Sequence, residues 1–341
     1  MNIDSMTATA EQLVAPGKGI LAADESTPTM AKRLAAVGVT STESVRRGYR
    51  EILFSTPGLG EHISGVILFD ETMRQQASDG TPLPELLRQQ GVIPGIKVDG
   101  GTKLLAGFPD EVVTEGLDGL RSRLEEYASL GARFAKWRAV IRIKDGVPSA
   151  TCLEANAHAL ARYAALAQEA GLTPIVEPEV LMDGAHDLDE CASVTLAALR
   201  AVYDQLARHR VVLEATLLKP NMVLPGQDHP SPVSDDEIAQ RTVAVARQAV
   251  PAAVPGLVFL SGGQSDEQAT SRLSALNRLA PQPWELSFSF GRALQAPVLR
   301  AWAGDDANAA AAHAALQHRA RLNGAARRGA YRPEMEDERD G

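Results

Sequence analysis

The sequence of 341 residues predicts an α/β protein built as a single (β/α)8 (TIM) barrel. Eight short apolar runs, each typical of a buried strand, recur along the chain. Stretches with helical spacing of apolar residues lie between several of them. Every run has a polar or charged residue at or near its carboxyl end, which is the face that carries the active site in such barrels. An open, doubly wound sheet is the alternative, but no Gly-x-Gly-x-x-Gly turn follows the first run, which disfavours a dinucleotide-binding version.

The individual elements follow from this pattern. The apolar runs predict strands at 19–24, 65–70, 95–99, 132–138, 173–179, 213–223, 256–261 and 285–290. Helices are predicted at 114–130, 153–170, 188–209, 235–250 and 266–279.

Both ends of the chain are predicted to be additions to the barrel. An N-terminal extension precedes the first strand, and the alanine-rich segment 307–323 is predicted to be helical. The segment 324–341 ends in a run of charged residues and is predicted to be a mobile C-terminal tail. No Gly/Ser linker divides the chain, so we expect one domain over residues 1–341.

Composition limits the possible partners. The chain is 45% hydrophobic and 23% charged, as in ordinary soluble globular proteins, and its net charge of −9 disfavours nucleic acid as a partner. Cys152 and Cys191 cannot form a disulfide framework and are expected to be buried thiols in a reducing compartment. With no signal-peptide pattern and no apolar segment long enough to span a bilayer, we expect a cytoplasmic protein without a membrane partner.

Lys219 is the residue that first indicates catalysis. It lies at the end of an apolar run, where a lysine must lose water, and such a loss lowers the pKa of an amine. A neutral lysine amine is a nucleophile that can form a Schiff base with a carbonyl substrate.

Other charged residues are expected to meet Lys219 at the barrel mouth. Side chains two apart on a strand share a face, and the pairs of this kind are Lys136 with Arg138, Glu177 with Glu179, and Lys219 with Asn221. A nearby cation such as Lys136 would help to keep Lys219 neutral. Glu177 can transfer protons during loss of water, and Asp24 can accept a proton from a substrate hydroxyl. For Glu179, a structural ion pair is about as plausible as a direct role.

Two segments are candidates for binding phosphate. Ser261, Gly262 and Gly263 follow the seventh strand and precede a helix, which is the usual phosphate site of these barrels. Arg292 follows the eighth strand and could bind the same phosphate. Near the first strand, Ser26, Lys32 and Arg33 could bind a second phosphate, although a capped helix with a solvated basic pair is almost equally plausible.

No metal site is predicted. Residues 186–191 include His186, Asp187, Asp189, Glu190 and Cys191, but no matching half with ligand spacing occurs elsewhere. Acidic residues that open a helix explain this segment better.

Several stretches together resemble the class I, Schiff-base-forming fructose-bisphosphate aldolases of the animal and plant type. They are 19–26, 95–99, 134–138, 175–179, 217–222, 260–265 and 288–295, and they span most of the chain in the order of that family. The resemblance implies a (β/α)8 barrel and reversible cleavage of fructose 1,6-bisphosphate to dihydroxyacetone phosphate and glyceraldehyde 3-phosphate in glycolysis and gluconeogenesis. It implies no metal or other cofactor, and it implies a homotetramer.

The resemblance also assigns roles to residues. Lys219 matches the Schiff-base lysine, Glu177 the acid/base that dehydrates the carbinolamine, and Asp24 the base for carbon–carbon cleavage. The remaining matches are cations lining the site (Lys97, Lys136 and Arg138), the C1-phosphate site (Ser261, Gly262 and Arg292) and the C6-phosphate end (Ser26, Lys32 and Arg33).

The chain departs from the family at its C-terminus. Members often end in a tyrosine that helps to protonate the enamine, whereas this chain ends in Asp340 and Gly341, and its last tyrosine is Tyr331. The proton donor is therefore open, and we expect a slower or differently controlled last step. Phe290 is a milder change at a position where tyrosine is common.

Three alternatives remain open at this level. Fructose 1-phosphate is a rival substrate, although Lys32 and Arg33 favour a second phosphate. A non-catalytic binding protein would have lost Lys219, Glu177 or Asp24, all of which are present. A metal-dependent aldolase would need a histidine-rich site, and the seven histidines are scattered.

Overall fold

Parallel strands close into a barrel in the computed structural model, which describes residues 2–279 and 281–338. Within these residues the strands are β1 (Gly19–Ala23), β2 (Ile63–Leu68), β3 (Ile93–Lys97), β4 (Thr102–Leu104), β5 (Val112–Thr114), β6 (Phe134–Ile141), β7 (Thr173–Val180), β8 (Leu217–Leu218), β9 (Gly256–Phe259) and β10 (Glu285–Phe290). The order around the barrel is β1-β10-β9-β8-β7-β6-β3-β2, while β4 and β5 form a separate antiparallel pair. This arrangement confirms the predicted (β/α)8 barrel.

Helices precede, connect and follow the strands. Within the described residues the α-helices are α1 (Ile3–Leu13), α2 (Thr27–Ala35), α3 (Glu43–Phe54), α4 (Asp70–Met73), α5 (Leu83–Gln89), α6 (Leu120–Ser129), α7 (Ala150–Glu169), α8 (Leu188–Arg208), α9 (Asp235–Ala249), α10 (Asp266–Arg278), α11 (Arg292–Trp302) and α12 (Ala309–Ala326). Each predicted apolar run overlaps one barrel strand, and β2 and β3 begin two residues before their predicted bounds. Helices α7 to α10 follow their predicted bounds closely.

One predicted helix begins too early. The stretch 114–130 contains α6 only from Leu120, because Thr114 belongs to β5 and pairs with Thr102 of β4. Gly116 and Gly119, with φ of 124° and 67°, stand between the strand and the helix. Such left-handed backbone interrupts a right-handed helix, and glycine adopts it without strain.

The N-terminal extension closes one end of the barrel. Leu13 of α1 is fully buried and packs in one cluster with residues from inside the barrel such as Phe134 and Leu217. Ser64 donates to the Leu13 carbonyl at 2.6 Å, and Thr173 donates to the Met6 carbonyl at 2.9 Å. Because Ser64 and Thr173 lie at the amino ends of their strands, α1 covers that end and leaves the carboxyl ends free for a site.

The predicted tail packs on the barrel over the residues that the structure describes. Its first residues, 324–326, are buried in the last turn of α12. Further on, Tyr331 donates to Glu336 Oε1 at 2.8 Å, and Arg319 of α12 donates to both Glu336 oxygens at 2.7 and 2.6 Å. Residues 339–341 lie outside the described residues, and mobility of the tail stays a prediction.

The two thiols are buried and the acidic segment opens a helix, as the sequence predicts. Cys152 and Cys191 are free and buried, and burial raises the pKa of each to about 11. Asp187 caps α8 by accepting from the Glu190 amide at 2.8 Å, with Asp189 in the first turn. No group of metal-ligating residues and no helix able to cross a bilayer occurs between residues 2 and 338, position 280 aside.

Candidate active site

A cavity of about 670 Å³ opens at the carboxyl ends of the barrel strands. Every predicted site residue except Gly263 lines it: Asp24, Ser26, Lys32, Arg33, Lys97, Lys136, Arg138, Glu177, Glu179, Lys219, Ser261, Gly262 and Arg292. The fold thus brings together residues from seven of the barrel strands or the segments that follow them.

Strand alternation explains two of the three predicted pairs. Lys136 and Arg138 of β6 both face the cavity, as do Glu177 and Glu179 of β7. The prediction that Asn221 shares the face of Lys219 is wrong. Strand β8 ends at Leu218 before Pro220, and Asn221 instead accepts from the Val180 amide at 3.1 Å.

Lys219 sits at the end of a short ladder. Its amide continues the β7–β8 pairing by donating to the Val176 carbonyl at 2.8 Å. Its side chain turns inward and the residue is only 4% exposed. The predicted burial of this lysine is therefore confirmed.

Four buried or half-buried groups form a chain of alternating charge at the floor of the cavity. Lys219 Nζ lies 3.1 Å from Glu177 Oε1, and Lys136 Nζ lies 3.1 Å from Glu177 Oε2 and 2.7 Å from Asp24 Oδ2. Lys136 is within ion-pair distance of Glu177 Oε2 but is not aligned for a hydrogen bond, since that oxygen makes none. Opposite charges in this order compensate for much of the desolvation that burial imposes on each group.

The chain of charges fixes two protonation states. Burial raises the pKa of the Asp24 carboxyl, but Lys136, Lys219 and Lys97 together lower it well below its usual value. Burial lowers the pKa of the Lys136 amine, but Asp24, Glu177 and Asp99 together raise it well above its usual value. Asp24 is therefore an ionised carboxylate and Lys136 a cation at neutral pH.

Two further ion pairs border this floor. Lys97 Nζ lies 2.8 Å from Asp99 Oδ1, and the Arg138 guanidinium pairs with the Glu179 carboxylate. Asp99 also accepts from the Arg138 amide at 3.2 Å, so it contacts both the Lys97 side chain and the Arg138 backbone. The sequence motif contains Asp99, but residue type alone gave no reason to assign it a role.

The loop after β9 approaches Glu179 closely. A Cβ built on Gly262 would lie 2.9 Å from Glu179 Oε1, so the carboxylate rests against this glycine. Gly263 lies outside the cavity lining and makes the turn, with φ of 76° and Met182 packed against it. Ser265 then caps α10 in a capping box with Gln268.

A second group of polar residues follows β1. Ser26 Oγ and Thr29 Oγ1 are 3.0 Å apart, and Arg33 pairs with Glu25. Thr29 lines the cavity and could have been found from its position one helical turn from Ser26. Lys32 is exposed beside them.

Arg292 lies between the two sets of residues that are predicted to bind phosphate. It begins α11 directly after β10, and β10 stands between β9 and β1 in the barrel. A Cβ on Gly291 would lie 3.9 Å from Arg33 Nη2, so the turn before Arg292 approaches Arg33. The anion-binding candidates therefore occupy three neighbouring strands on one side of the mouth.

The cavity is more positive than the chain. Its lining carries seven cations (Lys32, Arg33, Lys97, Lys136, Arg138, Lys219 and Arg292) and five carboxylates (Asp24, Glu25, Asp99, Glu177 and Glu179). This local excess of positive charge, in a chain of net charge −9, favours an anionic substrate. No tyrosine occurs among the described lining residues.

Comparisons with known proteins agree with one another. A family model described as fructose-bisphosphate aldolase class-I matches residues 5–341. A probable fructose-bisphosphate aldolase class 1 of Xanthomonas axonopodis pv. citri is 55% identical over 97% of this chain and all of its own length. A cytosolic fructose-bisphosphate aldolase 6 of Arabidopsis thaliana is 53% identical over 96% of this chain and 92% of its own. The solved fructose-bisphosphate aldolase of Plasmodium falciparum superposes with a TM-score of 0.96 at 46% identity, covering 97% of this chain and 96% of that one.

Proposed function

Since the chain belongs to the class I fructose-bisphosphate aldolase family, we propose that its barrel mouth carries out the family's reaction with Lys219 as the nucleophile. That reaction is the reversible, metal-independent cleavage of fructose 1,6-bisphosphate to dihydroxyacetone phosphate and glyceraldehyde 3-phosphate in glycolysis. The observation that carries the assignment of residues is the alternating chain Lys219–Glu177–Lys136–Asp24.

Imine formation is assigned to Lys219 and Glu177. Lys219 transfers a proton to Glu177 Oε1, 3.1 Å from its Nζ, and the resulting amine attacks the C2 ketone to form a carbinolamine. Glu177 then returns the proton to the carbinolamine hydroxyl, which leaves as water. The product is a protonated imine, which withdraws electrons from the C3–C4 bond.

Carbon–carbon cleavage is assigned to Asp24. Its carboxylate accepts the proton of the C4 hydroxyl while the C3–C4 electron pair moves toward the imine, releasing glyceraldehyde 3-phosphate and leaving an enamine. Lys136 keeps Asp24 ionised and holds it in place at 2.7 Å. Protonation of the enamine at C3 and hydrolysis of the imine then release dihydroxyacetone phosphate.

Substrate binding is assigned to the cationic rim. Ser261, Gly262 and Gly263 with Arg292 bind the C1 phosphate, with Gly263 setting the turn of the loop. Ser26, Lys32 and Arg33 bind the C6 phosphate, while Lys97 and Arg138 contact the sugar between them. Glu179 holds Arg138 and supports the loop at Gly262.

We further propose a homotetramer in the cytoplasm and a preference for the bisphosphate over fructose 1-phosphate. The family resemblance supports the assembly, the plant relatives named cytosolic support the location, and Lys32 with Arg33 support the preference. Sedimentation equilibrium of the full chain tests the assembly, and a mass other than that of four chains would contradict it.

The catalytic assignment is tested by borohydride trapping with fructose 1,6-bisphosphate in EDTA, followed by peptide mass mapping. A stable triose-phosphate adduct on Lys219 is expected, and none is expected on the exposed Lys144. An unmodified Lys219 in folded protein would refute the assignment and would favour a non-catalytic binding protein.

A further inference from the structure

The carboxylate of Glu25 is buried at the edge of the cavity and is shared by three donors. Arg50 Nη2 lies 2.6 Å from its Oε2, Gln295 Nε2 lies 2.7 Å from its Oε1, and Arg33 Nη1 pairs with the same Oε1. We call Glu25, Arg33, Arg50 and Gln295 the Glu25 network. It has more cations than carboxylates, so Arg33 is not the only counter-ion of Glu25.

Arg50 and Gln295 are far more buried than Arg33. Arg50, on α3, is 2% exposed and Gln295, on α11, is fully buried, whereas the Arg33 side chain is 23% exposed and lines the cavity. The two buried donors cannot reach a ligand from the protein interior. Arg33 can, because its partly exposed side chain lines the cavity.

Both buried donors are also fixed to the end of strand β1. Arg50 Nε donates to the Ala23 carbonyl at 3.0 Å, and Gln295 Nε2 donates to the Ala22 carbonyl at 2.7 Å. Two acceptors at Nε2 determine the orientation of the Gln295 amide. These contacts anchor Glu25 independently of Arg33.

A buried carboxylate that loses its last cationic partner destabilises the protein strongly. If Arg33 were the only cation on Glu25, turning toward a phosphate would leave such a charge behind. With Arg50 and Gln295 in place, Glu25 keeps a cation and a hydrogen-bond donor when Arg33 turns away.

We propose that Arg50 and Gln295 are positioning residues that satisfy Glu25 and thereby release Arg33 to bind the distal phosphate of a ketose bisphosphate. They would thus determine the preference for a bisphosphate over a monophosphate ketose without contacting the substrate. This inference rests on the proposed function, specifically on the assignment of Arg33 to the C6 phosphate.

The first variant tests that premise. The quantity measured is the ratio of kcat/KM for fructose 1,6-bisphosphate to kcat/KM for fructose 1-phosphate. Arg33→Met is expected to lower the ratio about tenfold or more, as for loss of a hydrogen bond to a charged group. An unchanged ratio would refute the assignment of Arg33, and the inference would fail with it.

The second step tests the positioning role. In Arg50→Met, Glu25 retains Arg33 as its cation, so the ratio is expected to fall in the same direction as in Arg33→Met. Gln295→Met, which removes only a neutral donor, is expected to cause a smaller fall and remains informative if Arg50→Met does not fold. If Arg33→Met lowers the ratio while Arg50→Met and Gln295→Met leave it unchanged, the positioning role of Arg50 and Gln295 is overturned. The assignment of Arg33 to the C6 phosphate would then stand.

Rescue distinguishes this role from general damage. Glu25→Gln removes the charge that would hold Arg33, so the Arg50→Met/Glu25→Gln double variant is expected to recover most of the lost ratio. A structural defect caused by losing Arg50 would persist or worsen in the double variant. No recovery in a folded double variant would therefore also overturn the inference.

Discussion

Glu177 Oε1 lies 3.1 Å from Lys219 Nζ, and both side chains are buried beneath the cavity. A general acid must lie within hydrogen-bond reach of the group that it serves. Glu177 meets this condition for Lys219 Nζ, the nitrogen through which the carbinolamine is proposed to form and collapse. Its second oxygen faces Lys136, so one carboxylate links Lys219 to the Lys136–Asp24 pair.

Replacing Glu177 by Gln should slow the reaction without abolishing substrate binding. The amide keeps the shape of the side chain but cannot transfer the proton, so we expect kcat to fall about 100- to 10,000-fold. Steady-state kinetics with rapid-quench trapping of the imine measures this loss. Glu214→Gln, at an exposed position away from the cavity, serves as the control. A kcat within a few-fold of the parent would exclude Glu177 as the acid.

Replacing Lys136 by Met should change the pH dependence. Lys136 is the largest influence that lowers the pKa of Asp24 against its burial, so the pKa of Asp24 should rise in the variant. In the parent, the low pKa of Asp24 stabilises the fold fully above its unfolded value of 3.8, and this contribution disappears as the pH falls through the folded pKa. In Lys136→Met that contribution should shrink or reverse, and the acid limb of kcat/KM should move to higher pH.

The check is a pH profile of kcat/KM together with thermal unfolding at each pH. Lys144→Met, which removes only an exposed ion pair with Asp110, should leave both profiles in place. If the acid limb of kcat/KM lay at the same pH in Lys136→Met and in the parent, Lys136 would not control the pKa of Asp24.

The periodic features of the chain could be predicted from sequence. Each barrel strand overlaps a short apolar run with a polar residue at or near its carboxyl end, so the fold could be predicted from these runs. The shared faces of Lys136 with Arg138 and of Glu177 with Glu179 followed from side-chain alternation. The predicted orientation of Asn221 is wrong because the strand ends before Pro220, and side-chain alternation does not reveal where a strand ends. The helix predicted from residue 114 begins too early because Thr114 belongs to the antiparallel pair of β4 and β5. These strands of three residues each are too short to show a periodic signal.

The Glu25 network shows a different limit. Arg50 lies on a helix without any motif, and Gln295 lies 270 residues from Glu25 in the chain. Their relation depends on α3 and α11 meeting at the end of β1, and no local pattern encodes that meeting. Thr29, by contrast, lies close enough to Ser26 for helical spacing to place their hydroxyls together.

Gly262→Ala should weaken binding of the C1 phosphate. The new methyl would lie 2.9 Å from Glu179 Oε1, so that oxygen must shift, and the methyl would take up space at the cavity wall where the phosphate is proposed to approach the loop. We expect KM for fructose 1,6-bisphosphate to rise about tenfold or more, as for loss of a charged hydrogen bond. Gly48→Ala is the matched control, because nothing lies within 4 Å of its Cβ. That change in α3 should stabilise the protein by about 1 kcal/mol. An unchanged KM in Gly262→Ala would argue against a close approach of phosphate to this loop.

Protonation of the enamine should not depend on the last residues of the chain. Tyr331 is bound to Glu336, and burial together with that carboxylate raises the pKa of its hydroxyl well above the usual value, which makes it a poor acid. No tyrosine follows it in the sequence.

The test is a truncation that leaves the fold intact. Truncation after Tyr331 would also remove Glu336, the partner of buried Arg319, so a loss of stability could not be told apart from a loss of the proton donor. Truncation after Glu338 avoids this problem. We expect the bound intermediate to exchange its C3 proton with solvent at the same rate in this variant as in the full chain, measured by tritium exchange of dihydroxyacetone phosphate. A large drop in that rate would instead place the donor, or the residue that positions it, among residues 339–341.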